Sequence, residues 1–400
     1  MKALLLENIH ADATPILAQA GLDVVTAKGS LSVDDLVAAL DGVSVLGIRS
    51  NTKVTEAVIA AAPPSLQAIG AFCIGTNQID LDAAARRGIA CFNAPYSNTR
   101  SVVELVLCEI IALARRLVEK TNATQDGAWD KSAIGAHEVR GRTLGIVGYG
   151  NIGSQLSVVA EAFGMRILFY DVADKLALGN AQRCATLEEL LAKADTVTLH
   201  VDGRPENAGF FGAREFSLMK PRAQFLNLSR GFVVDVDALA DNLRSGHIAG
   251  AAVDVFPTEP KNAGDRFTTP LQGIPNTILT PHIGGSTMEA QVDIGHFVAT
   301  KLADYLATGS TVMSVNLPQV ATPPQQGHRV MHIHENVPGV LAHLNAVLSA
   351  HQANIAYQAL STAGPIGYVV TDVTSAEPGL LDNLQAIPGT IRVRVLDAAA

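Results

Sequence analysis

The sequence contains no run of lysine or arginine, and its formal net charge is −9. An acidic chain without a basic stretch offers no track for a polyanion, so no nucleic-acid partner is expected. An anionic substrate must then be held by a few local cations, not by the overall field. Cysteine is scarce. Cys73, Cys91, Cys108 and Cys184 each lie in an apolar segment, and none stands in C-x-x-C spacing. This usage reads as buried, reduced thiols of a cytoplasmic protein, with neither a disulfide framework nor a metal site expected. Long apolar runs are missing too. The opening MKALLLENIH is too short for a signal peptide, and Glu104 and Glu109 interrupt the longest apolar stretch, 102–114, so no membrane span is expected.

What is abundant is alternation. Short apolar runs at 3–6, 23–26, 43–48, 66–72 and 89–92 read as strands, with helical spacing between them, as at 32–40 and 55–61. A second series places strands at 144–147, 166–170, 196–201, 223–228, 249–255 and 277–279, with helices at 152–163, 187–192 and 236–243. Repeated βα units predict parallel sheets covered on both faces, hence two doubly wound domains. Two longer helical patterns, 99–122 and 287–306, stand where the chain passes between lobes. Residues 317–327, LPQVATPPQQG, read as a linker. Beyond them the order βαββαβ predicts a ferredoxin-like unit, and 398–400 read as a frayed end.

The second series opens with TLGIVGYGNIG, in which Gly148, Gly150 and Gly153 form G-x-G-x-x-G. The strand before it and the helix after it make this a dinucleotide-binding turn, with phosphates over the helix amino end. Asp171, 18 residues beyond Gly153, ends the next strand and suits the ribose hydroxyls of NAD, while repelling the 2′-phosphate of NADP. Arg230, Glu259 and His282 follow the fourth, fifth and sixth strands, so all three fall on the rim where such sheets bind ligands. Their types fit oxidation of a secondary alcohol beside a carboxylate. Arg230 grips the carboxylate, His282 takes the hydroxyl proton as hydride leaves, and Glu259 orients the imidazole and stabilises its cation.

The segments GYGNIG, LNLSRG, VDVFPTEP and TPHIGGST resemble signatures of the D-isomer-specific 2-hydroxyacid dehydrogenases. Residues 71–106 resemble the substrate domain of the phosphoglycerate-oxidising members, and 330–345 resemble their terminal ACT domain. The resemblance implies a discontinuous substrate domain at 1–98 and 284–316, an NAD-binding Rossmann domain at 99–283, the linker, and a regulatory ACT domain at 328–400. It implies NAD contacts at Asn151, Ile152, Asp171, Leu228, Ser229, Arg230, Asp254, His282, Ile283, Gly284 and Gly285, besides the three glycines of the turn.

The implied reaction is NAD-dependent oxidation of 3-phospho-D-glycerate to 3-phosphohydroxypyruvate, the opening step of L-serine synthesis. Members also reduce 2-oxoglutarate, and they are typically tetramers inhibited by L-serine. Candidate substrate contacts are Arg49, Ser50, Asn98 and Lys131, beside Arg230; Asn51 stands where close relatives often carry a second arginine. Lys131 adjoins the sole tryptophan, Trp129, and could serve a neighbouring subunit. His334, Asn336 and Asn354 match effector positions of the ACT family, although Asn336 is also placed to cap a helix. Serine would join two such domains across a dimer contact and restrict lobe motion. The rival readings are a glyoxylate or hydroxypyruvate reductase on the same fold, and a non-catalytic NAD sensor or corepressor.

Overall fold

The computed structural model describes residues 1–260, 264–376 and 378–398. Two compact units emerge, one from residues 1–97 with 291–400 and one from residues 98–290. The first unit begins with β1 (Lys2–Leu5), β2 (Asp23–Thr26), β3 (Val43–Ile48), β4 (Ala68–Ala71) and β5 (Ala90–Phe92), parallel throughout in the order β2-β1-β3-β4-β5. Every residue of β3 and β4 is buried, as a strand covered on both faces requires.

The second unit carries β6 (Thr143–Val147), β7 (Arg166–Tyr170), β8 (Gln182–Arg183), β9 (Thr196–Leu199), β10 (Ala223–Asn227), β11 (Ile248–Val253) and β12 (Thr277–Leu279). All pair in parallel in the order β12-β11-β10-β9-β6-β7-β8. The edge strand β8 is too short to show a pattern in sequence. Strand order reverses between β6 and β9, the switch point where such sheets open a ligand crevice.

The helical pattern at 99–122 is two helices, Thr99–Arg115 and Leu117–Gln125, because Arg116 takes a left-handed backbone, φ 52°. Within the first of these, Val103, Val106 and Ile110 face inward, which turns Cys108 outward. The expectation of buried thiols is therefore corrected: Cys108 is exposed and Cys73 half-buried, while Cys91 and Cys184 are buried. The neighbouring Glu109 is buried, and among the described residues neither of its carboxyl oxygens has a hydrogen-bond partner.

The remaining strands are β13 (His328–Glu335), β14 (Ile355–Ala363), β15 (Ile366–Val373) and β16 (Thr390–Leu396), with helices Val340–Ala350 and Leu380–Gln385. Their antiparallel order β14-β15-β13-β16 is that of a ferredoxin-like βαββαβ unit. The period of two sorts its sheet into faces. Val330 and Val369 pack on the unit's own helices, through Leu344 and Leu384. Met331, Ile333, Tyr368 and Val370 instead join a cluster with Phe92, Val298 and Tyr305.

The segment 317–327 has neither helix nor strand, yet it does not run free. Leu317 and Val320 are buried, and Thr311 exchanges hydrogen bonds with Pro318 and Val320. Arg329, 1% exposed, donates to Asp372 at 2.6 and 2.7 Å and to the carbonyls of Pro323 and Thr308. Of the frayed end expected at 398–400, residues 399 and 400 lie outside the described residues.

Asp372→Asn leaves the buried guanidinium uncompensated and should cost about 3–5 kcal/mol, read as a lower chemical-denaturation midpoint. Glu109 gives a pH-dependent counterpart. Burial, helped by the Asp254 charge, pushes its carboxyl from 4.5 up to about 8. Between those values the folded chain holds a proton that the unfolded chain releases, so stability falls as pH rises across the window, by on the order of a few kcal/mol in all. Glu109→Met should remove that loss, so that its Tm advantage over the parent widens from pH 5 to pH 8.

Candidate active site

The turn after β6 sits at the switch point. Gly148 has φ 92°, and a Cβ there would lie 2.5 Å from the His200 carbonyl oxygen at the end of β9, so only glycine fits. A Cβ on Gly150 would meet nothing within 4 Å, which leaves open space above the turn. Helix Asn151–Ala162, which includes Ile152 and Gly153, starts there and turns its amino end to that space. A hollow of about 300 Å³ is lined by Gly148, Gly150, Asp171, His200 and Asp202. Asp171 accepts the N–H of Tyr149 and of Ala173, both at 2.8 Å, and each oxygen keeps a lone pair for a ribose hydroxyl. These residues fit a dinucleotide.

On the same rim, His282 Nδ1 and Glu259 Oε2 are 2.8 Å apart. The other Glu259 oxygen accepts the Phe256 N–H at 3.1 Å, which fixes the carboxylate plane. Burial pushes the Glu259 carboxyl up, but the hydrogen bonds from His282 and Phe256 and the charges of His282 and Arg230 hold it below its usual value. The Glu259 hydrogen bond raises His282 above the ordinary imidazole value; burial and Arg230 oppose that rise, and the Glu259 and Asp254 charges add to it. Arg230 follows β10 and donates to the Ser229 carbonyl at 2.7 Å, while Ser229 and the Arg230 carbonyl are both tied to Asn227.

The His282 backbone is left-handed, φ 55°, a conformation that costs a non-glycine residue energy and must be imposed by its surroundings. Asp254, 1% exposed at the end of β11, imposes it. Its carboxylate accepts from Thr280 Oγ1 at 2.6 Å and from the Ile283 and Gly284 N–H groups at 2.8 Å. Asp254, expected among the NAD contacts, is thus engaged with the turn that carries the imidazole. Gly285 closes on Asn98, whose buried Oδ1 has no hydrogen-bond partner among the described residues. Leu228 is buried at the end of β10, where it and Val102 border Gly284.

The other candidate substrate contacts lie elsewhere. Arg49 and Ser50 belong to the first unit, in a loop organised by a residue that sequence reading passed over. Glu7 accepts the N–H groups of Arg49, Asn51 and Thr52 at 3.2, 2.9 and 2.8 Å, and Gln78 donates to the Arg49 carbonyl at 2.7 Å. Only the apolar strand before Glu7 pointed toward it, and that strand gives no sign of a contact 42–45 residues away. Lys131 lies 5.9 Å from the centre of the Trp129 ring, both in an exposed loop of the second unit.

In the ferredoxin-like unit, His334 is buried and its Nδ1 is 2.7 Å from the Glu335 carbonyl, which leaves Nε2 an acceptor without a partner among the described residues. Asn336 does not cap the helix; Gly339 takes the N-cap position, and Asn336 Nδ2 donates to the Gly364 carbonyl at 3.1 Å. The register parts these residues from Asn354. His334 pairs with Gly367, whereas Ile355, next to Asn354, pairs with Val373 at the far end of β15. Those positions are about 20 Å apart along a strand.

Residues 107–284 match the family model of the D-isomer specific 2-hydroxyacid dehydrogenase NAD binding domain, and residues 330–392 match an AHAS small subunit-like ACT domain. The chain is 50% identical to D-3-phosphoglycerate dehydrogenase of Escherichia coli, over 99% of this chain and 97% of that protein. A solved structure from Thermus thermophilus covers 76% of this chain and 97% of its own, with 32% identity and a TM-score of 0.69. D-lactate dehydrogenase of Aquifex aeolicus, solved with NAD and lactic acid, covers 76% of this chain and 95% of its own, with 26% identity and a TM-score of 0.65. The chain belongs to the D-isomer-specific 2-hydroxyacid dehydrogenase family.

Proposed function

We propose that this protein oxidises 3-phospho-D-glycerate to 3-phosphohydroxypyruvate with NAD, the first step of L-serine synthesis. The observation that carries the reading is the hydrogen-bonded His282–Glu259 pair on the rim that also bears Arg230 and the Gly148 turn. The identity with the Escherichia coli enzyme supports the choice of substrate. Glu259 accepts the proton on His282 Nδ1, so Nε2 is left to take the substrate's hydroxyl proton. Arg230 holds the carboxylate bidentately and so fixes the carbon that loses hydride. NAD, held by the Gly148–Gly153 turn and Asp171, supplies the hydride acceptor. Arg49, Ser50, Asn98 and Lys131 are assigned to the substrate, with Arg49 and Lys131 as the cations for its phosphate. Reduction of 2-oxoglutarate is assigned to the same site.

Oxidation needs neutral His282, so the rate should rise with pH through a value above that of a free imidazole. Glu259→Gln should move this limb to lower pH and lower kcat by about 10²-fold or more. The substrate assignment is checked at the NADH absorbance with 3-phosphoglycerate, glycerate and 2-hydroxyglutarate. Preference for glycerate would favour the reductase reading, and no turnover of any acid would favour an NAD sensor.

We further assign L-serine as effector, bound by His334 and Asn336 of one chain and Asn354 of another, in a cytoplasmic homotetramer. The spacing along β15 supports a shared site, since about 20 Å is too far for one small amino acid to bridge. His334→Ala and Asn354→Ala should each abolish serine inhibition. Mixed oligomers of the two should regain part of it, because one of the two composite sites then keeps both side chains; inhibition that stays absent in the mixture would refute the shared site.

A further inference from the structure

The parallel sheet of the second unit has another edge. At the amino ends of β6, β9, β10 and β11, opposite the rim that bears His282, lies a cavity of about 320 Å³. Its charged lining is Arg116, Arg142, Lys220, Arg222 and Asp195, with His137 beside them. In a chain of net charge −9 this is a local excess of positive charge. Glu119 balances Arg116 through bonds of 2.7 and 3.1 Å. Asp195 is already engaged by Lys220 and by the Thr143 N–H. Burial pushes the Asp195 carboxyl up, but Lys220, the Thr143 N–H and the Arg142 charge hold it below its usual value.

Cations at such an edge ordinarily answer the carbonyl ends of helices. Here Ala114 accepts from the His137 N–H, and Arg116 spends one N–H on the Ile134 carbonyl at 2.9 Å. Arg142 Nε is sealed from solvent and has no hydrogen-bond partner among the described residues. Arg222 Nη1 reaches the Gly246 carbonyl only at 3.4 Å, the weak limit of a hydrogen bond. Arg116 and Arg222 also occupy left-handed backbone, φ 52° and 67°, where glycine is the unstrained choice. Both strained positions carry guanidinium groups into the wall of one cavity.

We propose that this cavity is a second anion site, which takes a small oxyanion of two or more charges such as a phosphate monoester. Its oxygens supply the acceptor that Arg142 Nε lacks and the counter-charge that Glu119 and Asp195 together leave incomplete. The volume suits a phosphate with a short carbon skeleton.

The test is thermal unfolding of the full-length protein titrated with inorganic phosphate, with sodium chloride holding ionic strength constant. Near-saturating phosphate should raise Tm by roughly 2–4 °C in the parent protein. Arg142→Gln and Arg222→Gly should each lose most of that gain, whereas Arg49→Gln, altered in the first unit, should keep it. Without phosphate, Arg222→Gly should melt no lower than the parent, since glycine suits its backbone, so loss of the gain cannot be put down to misfolding. A gain reproduced by chloride, retained in both cavity variants, or abolished by Arg49→Gln would overturn the proposal. In crystals soaked with tungstate, an anomalous peak among Arg116, Arg142 and Arg222 is expected; peaks only elsewhere would overturn it as well.

Discussion

The carboxylate of Asp254 is the constraint on which the geometry of the candidate site rests. It is buried, and it gathers a hydroxyl and two amides of the segment that carries His282. A carboxylate with this many donors is held stiffly in one orientation. It holds the His282 backbone in a conformation the residue would not choose, and that conformation presents the ring to Glu259. The chemistry of the pair is therefore set one step behind the pair. Nearby, burial suppresses the acidity of Glu109, and the Asp254 charge adds to that effect.

The first unit repeats this device. Glu7 collects three amides of the loop that bears Arg49 and Ser50. In both units a buried or nearly buried acid shapes a loop by taking its N–H groups, and the exposed side chains of the loop are left free for a ligand. Each loop needs such an anchor because a short connection at a strand end has few contacts of its own.

Much of this was legible in the sequence, for stated reasons. The βα alternation declared itself through buried strands, and the Gly148 turn through residues that only one local geometry accommodates. Arg230, Glu259 and His282 could be assigned to one rim because parallel strands put every strand end of one polarity on the same side. What escaped was non-local. Glu7 acts on a loop far along the chain, and residues 317–327 look free until Arg329 and Asp372 are seen to hold them. The break at Arg116 hides because arginine is an ordinary helix former, and its left-handed backbone leaves no mark on the apolar pattern. Cys108 reads as buried in an apolar run, and only the helical phase turns it outward.

One face of the ferredoxin-like sheet closes against Phe92, Val298 and Tyr305, and Tyr368, Arg392 and Arg394 add hydrogen bonds to the carbonyls of Gly309, Leu66 and Leu306. A sheet fused in this way is not a pendant on a string. It and the parallel sheet of the first unit share one core, and cutting the chain ahead of His328 would turn that interior into a greasy surface. A shift of that sheet would therefore press directly on Phe92, Val298 and Tyr305 in the core it shares.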